Sequence, residues 1–328
     1  MTRTTMRILI VLTGLGLASG AMADDLADGS PKVRLETKDA TGEFRVMIDG
    51  KEAIVYQCGP KNDMVHYYPV RSPSGKSMTV QKTDPYPHHR SFWFADKVNL
   101  AGHRSVSFYS ALYSKTDKDD PDAPFNDRIR HLEFVKEETD QCKATVDDRL
   151  VWEMDLGKTP VLDELRQMRV VALGDGQYFL DLTFTLTASY GDVTFSSDWV
   201  HYAWPFIRMN KQFNVQDGGG TITSSEGGVN QKETNGKPAK WMDYSCEVEG
   251  QTEGLAVFSH PDNGYPHNWL TRDYGTFGPR RIHEKSGKPF TLKKGETLQQ
   301  RVGVLVHRGD VKIGKVAERY QKYVAGEL

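Results

Sequence analysis

The sequence is poor in cysteine, and none of its cysteines has the spacing of a metal site. The 328 residues contain three, Cys58, Cys142 and Cys246, which lie far apart and without a C-x-x-C pair. This excludes ribbon-type zinc sites and C-x-x-C redox motifs. An odd number permits one disulfide and one free thiol, in a pairing that the sequence leaves open. We expect each cysteine to be structural, because no neighbouring histidine or basic cluster would lower its thiol pKa.

Positive charge is not in excess, and several familiar catalytic motifs are missing. The chain has 42 Lys and Arg against 44 Asp and Glu, which leaves no basic field for nucleic acid or an anionic membrane surface. H-E-x-x-H and G-x-S-x-G are absent, and Gly75-Lys76-Ser77 lacks the first glycine of the P-loop pattern G-x-x-x-x-G-K-S, since Val70 stands at that position. We therefore expect no nucleic-acid partner and no membrane partner.

Long apolar runs are also missing, apart from a short one at the N-terminus. Arg3 and Arg7 precede the apolar segment Ile8–Leu17, and small residues ending in Ala23 follow it. This order is typical of a secretory signal peptide, and the run is too short for a membrane span. We predict a signal peptide at 1–23, a short tail at 24–30 and a single domain at 31–328, in a protein that is periplasmic or secreted.

Alternation of apolar and polar residues is the dominant pattern in the rest of the chain. Within Tyr178–Thr187 every second residue is a large apolar one, and Val302, Val304 and Val306 repeat the pattern. Many similar short segments are bounded by Gly, Pro, Asn or Asp. One helix is expected, capped by Asp310 and stopped by Gly326. The pattern predicts an all-β fold, a large antiparallel β-sandwich with a C-terminal helix.

The segment Asp84–Asn99, DPYPHHRSFWFADKVN, carries the densest set of functional groups and is called the first cluster. Its prolines favour an extended backbone, so that consecutive side chains point to opposite sides. Imidazoles beside a guanidinium and aromatic rings could bind a polyhydroxylated ligand and move a proton near neutral pH. The candidate residues are His88, His89, Arg90, Trp93 and Asn99.

A second cluster, SHPDNGYPHNWLTRDYG, spans Ser259–Gly275. Polar groups between aromatic residues suit a sugar site, where ring faces take the apolar side of the sugar and polar side chains take its hydroxyls. A tight turn with structural hydrogen bonds is the alternative. The candidate residues are His260, Asn263, His267, Trp269, Arg272, Asp273 and Tyr274.

Two further points concern single histidines and metal. His201, in the segment Asp198–Met209, is a weaker candidate for substrate binding.

The adjacent His88 and His89 cannot aim two rings at one metal, so a metal centre would also need His260 or His267. We predict no metal and no cofactor, and a metal-dependent oxidase or hydrolase remains an open alternative.

The two clusters and several other segments resemble a bacterial family of exported proteins often labelled PmoA-like. The matching segments are YYPVRSPSGKSMT (67–79), PYPHHRSFWFADKVN (85–99), WMDYSCEV (241–248), HPDN (260–263), NWLTRDYG (268–275) and LKKGETLQQRVGVLVHRGD (292–310). The resemblance implies a protein found beside sugar-degradation functions. The β-rich pattern is similar to the large sandwiches of aldose mutarotases, which use a His acid and a Glu base. No corresponding Glu is identified in this sequence.

These observations favour a periplasmic carbohydrate-active protein, and within that class an enzyme that acts on a sugar or glycoside by histidine acid/base chemistry. His88 or His89 would transfer the proton, and Arg90 and Arg272 would hold an anionic or carbonyl oxygen. Asp273 would orient Arg272 or a histidine. The expected ligand is a small sugar or an oligosaccharide, with acidic sugars favoured by the arginines. A non-catalytic sugar-binding protein is the alternative from a different class.

Overall fold

Antiparallel strands make up most of the computed structural model, which describes residues 32–38, 41–196, 202–264, 267–281 and 288–328. The predicted signal peptide at 1–23, the tail at 24–30 and His201 lie outside the described residues. The described strands are β1 (Val33–Lys38), β2 (Glu43–Ile48), β3 (Lys51–Gln57), β4 (His66–Val70), β5 (Phe92–Trp93), β6 (Lys97–Leu100), β7 (Ser105–Ser107), β8 (Arg128–Asp140), β9 (Lys143–Met154), β10 (Thr159–Gly174), β11 (Gln177–Thr187), β12 (Val193–Phe195), β13 (Phe206–Arg208), β14 (Thr221–Ser224), β15 (Pro238–Ala239), β16 (Trp241–Val248), β17 (Gln251–Ser259), β18 (His267–Thr271), β19 (Thr276–Pro279), β20 (Phe290–Leu292) and β21 (Thr297–Arg308).

The strands form three sheets. The first has the order β1-β2-β3-β4-β5-β13-β19-β18-β15, the second β14-β16-β17-β21-β11-β10-β9-β8, and a third, smaller one β20-β12-β6-β7. Strand β11, in the middle of the second sheet, pairs antiparallel with β10 on one side and β21 on the other, with Leu182 opposite Met168 and Val302. The predicted all-β antiparallel fold is confirmed.

The core lies between the two large sheets, where the alternating residues converge. In β11 the inward residues Leu180, Leu182, Phe184 and Leu186 are buried, while the threonines between them are partly exposed. Phe184 stacks on Phe94, from the segment after β5, with ring centroids 4.3 Å apart. Period-two patterning therefore places one face of each strand in the core, as expected for half-buried strands.

Helices are few and short. The described helices are α1 (Val215–Gly218), α2 (Asn230–Thr234) and α3 (Val316–Ala325), with 3₁₀ turns at Phe108–Ser114 and Pro261–Asn263. The predicted C-terminal helix is confirmed and ends at Gly326, which adopts a left-handed conformation. Its expected start at Asp310 is wrong, because that carboxylate instead accepts the backbone N–H groups of Lys312 and Ile313 in a preceding turn. Among the described residues, no helix has the length and hydropathy of a membrane span.

Candidate functional site

The loop before β5 gathers three rings of the first cluster. Backbone hydrogen bonds from Tyr86 N–H to Thr83 O (3.0 Å) and from His89 N–H to Tyr86 O (2.9 Å) close a compact turn. Lys82 N–H then bonds His89 O at 3.0 Å, which fixes the end of the loop. The turn brings Tyr86, His88 and His89 together, although the prolines had suggested an extended segment.

His88 is half-buried and surrounded by aromatic rings. Its ring centroid lies 4.7 Å from that of His89, 5.1 Å from Tyr109 and 5.6 Å from Tyr113. Nδ1 lies 3.2 Å from the Tyr113 hydroxyl, and Nε2 bonds no group in the described part of the chain. Burial, followed by the charge of Arg90, lowers the pKa of His88. The imidazole is therefore neutral near pH 7 and can accept a proton.

His89 is its buried neighbour, only 3% exposed. Its ring stacks on Tyr86 at 4.8 Å, and Nε2 lies 2.8 Å from the Tyr109 hydroxyl. Nδ1 is buried without a hydrogen-bond partner among the described residues. Burial, then the charges of His88 and Arg208, lower the pKa of His89 to about 2. This ring stays neutral at any physiological pH and cannot serve as an acid.

The second cluster reaches the same place through Tyr274. A turn closed by Gly275 N–H and Arg272 O (2.8 Å) presents Tyr274, whose ring lies 5.4 Å from Tyr86. Gly275 has φ of +107°, and a Cβ there would lie 2.9 Å from Met209 O. The turn therefore requires glycine at this position.

Arg208, on β13, lies under Tyr274. Its guanidinium carbon is 4.4 Å from the Tyr274 ring centroid, and Nη1 donates to Tyr274 O at 2.6 Å and to Thr276 Oγ1 at 3.3 Å. The side chain is buried and its charge acts on His89. We call the following set the aromatic–histidine site: Tyr86, His88, His89, Tyr109, Tyr113, Arg208 and Tyr274.

Arg272 and Asp273 flank this site. Arg272 Nη1 donates to Thr271 O at 3.0 Å, and Asp273 Oδ1 accepts Gln231 N–H at 2.8 Å. Asp273 therefore holds the start of α2 rather than a histidine in the described residues. It also lines an open polar cavity of about 480 Å³ with Tyr274, Gln216, Gln231, Lys232 and Asn235.

Three first-cluster candidates face the protein interior or another sheet. Arg90 is buried in an ion pair with Asp63, with Nε donating to Oδ1 at 3.1 Å. Trp93 is fully buried and stacks on Phe206 at 4.8 Å. Asn99 lies on β6 of the small sheet, where Nδ2 donates to His103 O at 2.8 Å. Trp93 still contacts the site from below, with its ring 5.4 Å from that of His89.

The first half of the second cluster is not brought to the site. His267 and Trp269 are buried, and their ring nitrogens bond Arg281 O and Ala239 O, both at 2.9 Å. Asn263 Nδ2 donates to Arg301 O at 2.6 Å.

His260 also lies elsewhere, packed edge-on against Tyr323 of α3 with ring centroids 5.2 Å apart. These contacts are typical of structural residues, and their predicted binding roles stay predictions.

Metal-ligating groups do not converge in the described part of the chain, where no three His, Cys, Asp or Glu side chains could hold one ion. All three cysteines are unpaired thiols, and Cys246 is buried. Burial raises the pKa of Cys58 to about 12, so this thiol stays protonated.

Sequence reasoning missed four members of the site. Tyr86 stands within the quoted first-cluster segment and could have been included on that ground. Tyr109 and Tyr113 lie in the 3₁₀ turn Phe108–Ser114, outside both clusters, and no local pattern of the sequence marks them. Arg208 carries no local signal, because only the pairing of β13 with β19 brings it under Tyr274.

Fold and site together define a β-sandwich protein with one aromatic, histidine-containing surface site. The chain belongs to DUF6807, a family of unknown function, which matches residues 43–321. The PmoA-like label stays a prediction from the sequence. No curated protein matches the chain in sequence.

Several solved structures resemble this chain at low similarity. The α-galactosidase AgaB of GH36 from Geobacillus stearothermophilus is 9% identical with a TM-score of 0.46, over 84% of this chain and 41% of that one. A heparan sulfate lyase HepC mutant from Pedobacter heparinus is 9% identical, with a TM-score of 0.34 over 82% and 36%. A galactose mutarotase-like protein from Lactobacillus casei is 8% identical, with a TM-score of 0.35 over 84% and 100%. This chain spans about two fifths of the length of the α-galactosidase, and likenesses at these TM-scores say nothing about activity.

Proposed function

We propose that the protein binds a saccharide at the aromatic–histidine site and acts on it by proton transfer through His88. The observation that carries the proposal is the environment of His88 and the protonation state of its ring. The ring is held among four aromatic neighbours, is neutral near pH 7, and has Nε2 without a hydrogen bond to any described residue. A positioned neutral imidazole of this kind is suited to general base catalysis.

The Tyr113 hydroxyl supports this role. When His88 Nδ1–H donates to the Tyr113 oxygen, 3.2 Å away, Nε2 presents its lone pair outward. Nε2 then takes a proton from the carbon beside a carboxylate, the neighbouring carbon loses its leaving oxygen as a double bond forms, and the imidazolium returns the proton to that oxygen. On a reducing sugar, Nε2 instead takes the proton of the anomeric hydroxyl as the ring opens and returns it to the ring oxygen. His89 holds the rings of Tyr86 and Tyr109 in place without changing charge.

Exposed tyrosines and polar cavities favour a saccharide as the ligand. Tyr113 is 62% exposed, and Tyr86 and Tyr274 are partly exposed. Aromatic faces pack against the C–H face of a sugar, while amides and carboxylates take its hydroxyls. The cavity of about 480 Å³ adjoins Tyr274, and another of about 530 Å³ adjoins Tyr113 and includes Asn126 and Asp127. Cavities beside two of the tyrosines that surround His88 and Tyr86 suit a ligand larger than one sugar, such as an oligosaccharide.

We also propose that the protein meets this ligand outside the cytoplasm. The support is the charge, apolar and small-residue order of residues 1–23. N-terminal sequencing of the protein from the periplasmic fraction would find Asp24 first, and a chain that retains Met1 in the cytoplasm would contradict this.

The direct test combines binding and turnover. The wild-type protein is incubated with a panel of neutral, uronate-containing and sulfated oligosaccharides, and reducing ends, unsaturated products and epimers are measured. The His88→Gln variant is expected to lose activity by about 100-fold or more, the usual size of a general base contribution. It should keep affinity for the same sugars within a few-fold, because Nε2 contributes little to ground-state binding.

The matched control is His103→Asn, since His103 is an exposed histidine outside the site. This variant should behave as the wild type. Binding without turnover by the wild type would leave a sugar-binding protein and remove the catalytic role of His88. No binding and no turnover across the panel would remove the proposed function altogether.

A further inference from the structure

Arg208 is the exception among the buried arginines of the described chain, because the others are paired with carboxylates. Four are buried: Arg90, Arg166, Arg208 and Arg281. Three of them lie within ion-pair distance of a carboxylate: Arg90 of Asp63, Arg166 of Glu164, and Arg281 of Asp96. Arg208 forms no ion pair with any described Asp or Glu, although an unpaired buried charge is costly.

The hydrogen bonds of Arg208 leave one edge of its guanidinium group unused. Nη1 donates to Tyr274 O and Thr276 Oγ1. Nε is buried without a partner among the described residues, and Nη2 donates to none of them. The same Nε and Nη2 edge of Arg301 holds the two oxygens of Asp181, at 3.1 and 2.7 Å. In Arg208 the corresponding bidentate edge, Nε and Nη2, contacts no carboxylate of the described residues.

Nearby acids do not neutralise Arg208. Burial is the main influence on its guanidinium and lowers its pKa. The described acid that acts on Arg208 is Asp217, which is exposed and already bonded to Asn214 Nδ2 at 2.8 Å. The charge of Arg208 is therefore not balanced by a buried carboxylate of the described residues.

We propose that Arg208 binds an oxyanion of the ligand, a carboxylate or a sulfate ester, so that the substrate class is an acidic saccharide. The proposal rests on the proposed function for the site and the ligand's sugar character. Arg208 replaces Arg90 in the expected recognition of acidic sugars, because Asp63 already neutralises Arg90. Tyr274 stacks on the guanidinium and fixes the plane of its unpartnered edge, which a bidentate contact with an oxyanion requires.

The test uses matched methyl glycosides in the gluco, galacto and manno series, each as the neutral sugar, the uronate and the 6-sulfate. Calorimetric titration of the wild type should show tighter binding of at least one charged form than of its neutral counterpart, by about tenfold to a hundredfold. The uronate and 6-sulfate arms then identify which oxyanion the site prefers. The preference should weaken with added salt, since it is electrostatic.

Variants separate recognition from structure. Arg208→Gln should abolish the preference for the charged sugar while affinity for the neutral sugar changes less than about threefold. Arg208→Lys keeps the positive charge but lacks the paired N–H groups of a bidentate contact. This variant should keep only part of the preference for the charged sugar. Arg149→Gln removes an exposed arginine that pairs with Glu133 on β8, and should change nothing.

Each other result contradicts the proposal. Equal affinity of the wild type for charged and neutral sugars would overturn the inference and leave the proposed function in place. Equal loss of both ligands in Arg208→Gln and Arg208→Lys would show a structural role for Arg208. Binding of none of the sugars would overturn the proposed function, and this inference with it.

Discussion

At the scale of single residues, His88 and His89 show how neighbouring side chains of one type differ in chemistry. They are adjacent in sequence, yet one is half-buried beside an exposed tyrosine and the other is enclosed by Tyr86, Trp93 and Tyr109. Burial disfavours the charged imidazole, so the pKa of both falls, and that of His89 falls furthest. The sequence left the proton-transfer role open between them, and burial favours His88.

A third histidine, His66, provides a pH prediction. It is fully buried, with Nδ1 2.9 Å from Met64 O and Nε2 2.7 Å from Gln81 Oε1. Burial, followed by the charge of Arg90, lowers its pKa from 6.5 to about 4. Between these values the unfolded chain binds a proton that the folded chain does not. His66 therefore lowers the free energy of unfolding by about 1.4 kcal/mol per pH unit as the pH falls through this window.

Urea unfolding at a series of pH values from 6.5 to about 4 measures this effect. His66→Asn should flatten the slope by about that amount, whatever its effect on stability at neutral pH. The wild-type protein, measured in parallel over the same pH values, gives the reference slope. An unchanged slope in His66→Asn would show that folding does not lower the pKa of His66.

Residue types in a dense segment were enough to predict part of the site. The concentration of histidine and aromatic residues in the first cluster indicated His88 and His89, and the second cluster indicated Tyr274. Burial could not be predicted in the same way, because Arg90 and Trp269 look as available in sequence as His88. Their partners, Asp63 and Ala239 O, lie 27 and 30 residues away.

At the scale of elements, helix α3 packs on the outer face of the second sheet. Tyr320 and Tyr323 contact Phe258 of β17, with ring centroids 5.6 and 6.0 Å apart. These residues form a hydrophobic cluster with Phe179 and Leu305. The helix is stabilised mainly by this burial, since ten residues form a marginal helix alone.

Two substitutions at Tyr323 separate the contribution of its ring to stability from that of its hydroxyl. The hydroxyl is buried without a hydrogen-bond partner among the described residues. Tyr323→Ala should lower the free energy of unfolding by about 3–5 kcal/mol, as for other large aromatic side chains. Tyr323→Phe should be neutral or stabilising, because it removes an unsatisfied polar group. Urea unfolding of the two variants tests this pair, and a large loss in Tyr323→Phe would reveal a partner for the hydroxyl.

Strands were easier to predict than helix ends. A period of two over ten residues, as in β11, specifies both the element and its buried face. The start of α3 was misplaced because Asp310 forms a turn of its own, and Lys315 then enters the helix from a left-handed conformation. Local capping signals do not distinguish these arrangements.

At the scale of the whole molecule, strand order creates the site. The two clusters are separated by more than 150 residues, and β13 lies between their strands in the first sheet, next to β5 on one side and β19 on the other. This order brings Tyr86 to Tyr274 and places Arg208 between them. The antiparallel class could be predicted from the sequence, whereas the order of strands depends on long-range pairing that no local pattern encodes. The prediction of one domain at 31–328 stays a prediction.

The most direct test of the central claim is a crystal structure of the protein with the tightest-binding saccharide of the panel. The account predicts the sugar ring against Tyr86 and Tyr274, a reacting oxygen or carbon within hydrogen-bond distance of His88 Nε2, and the acidic group on the Nε and Nη2 edge of Arg208. A saccharide bound with none of these residues in contact would contradict it.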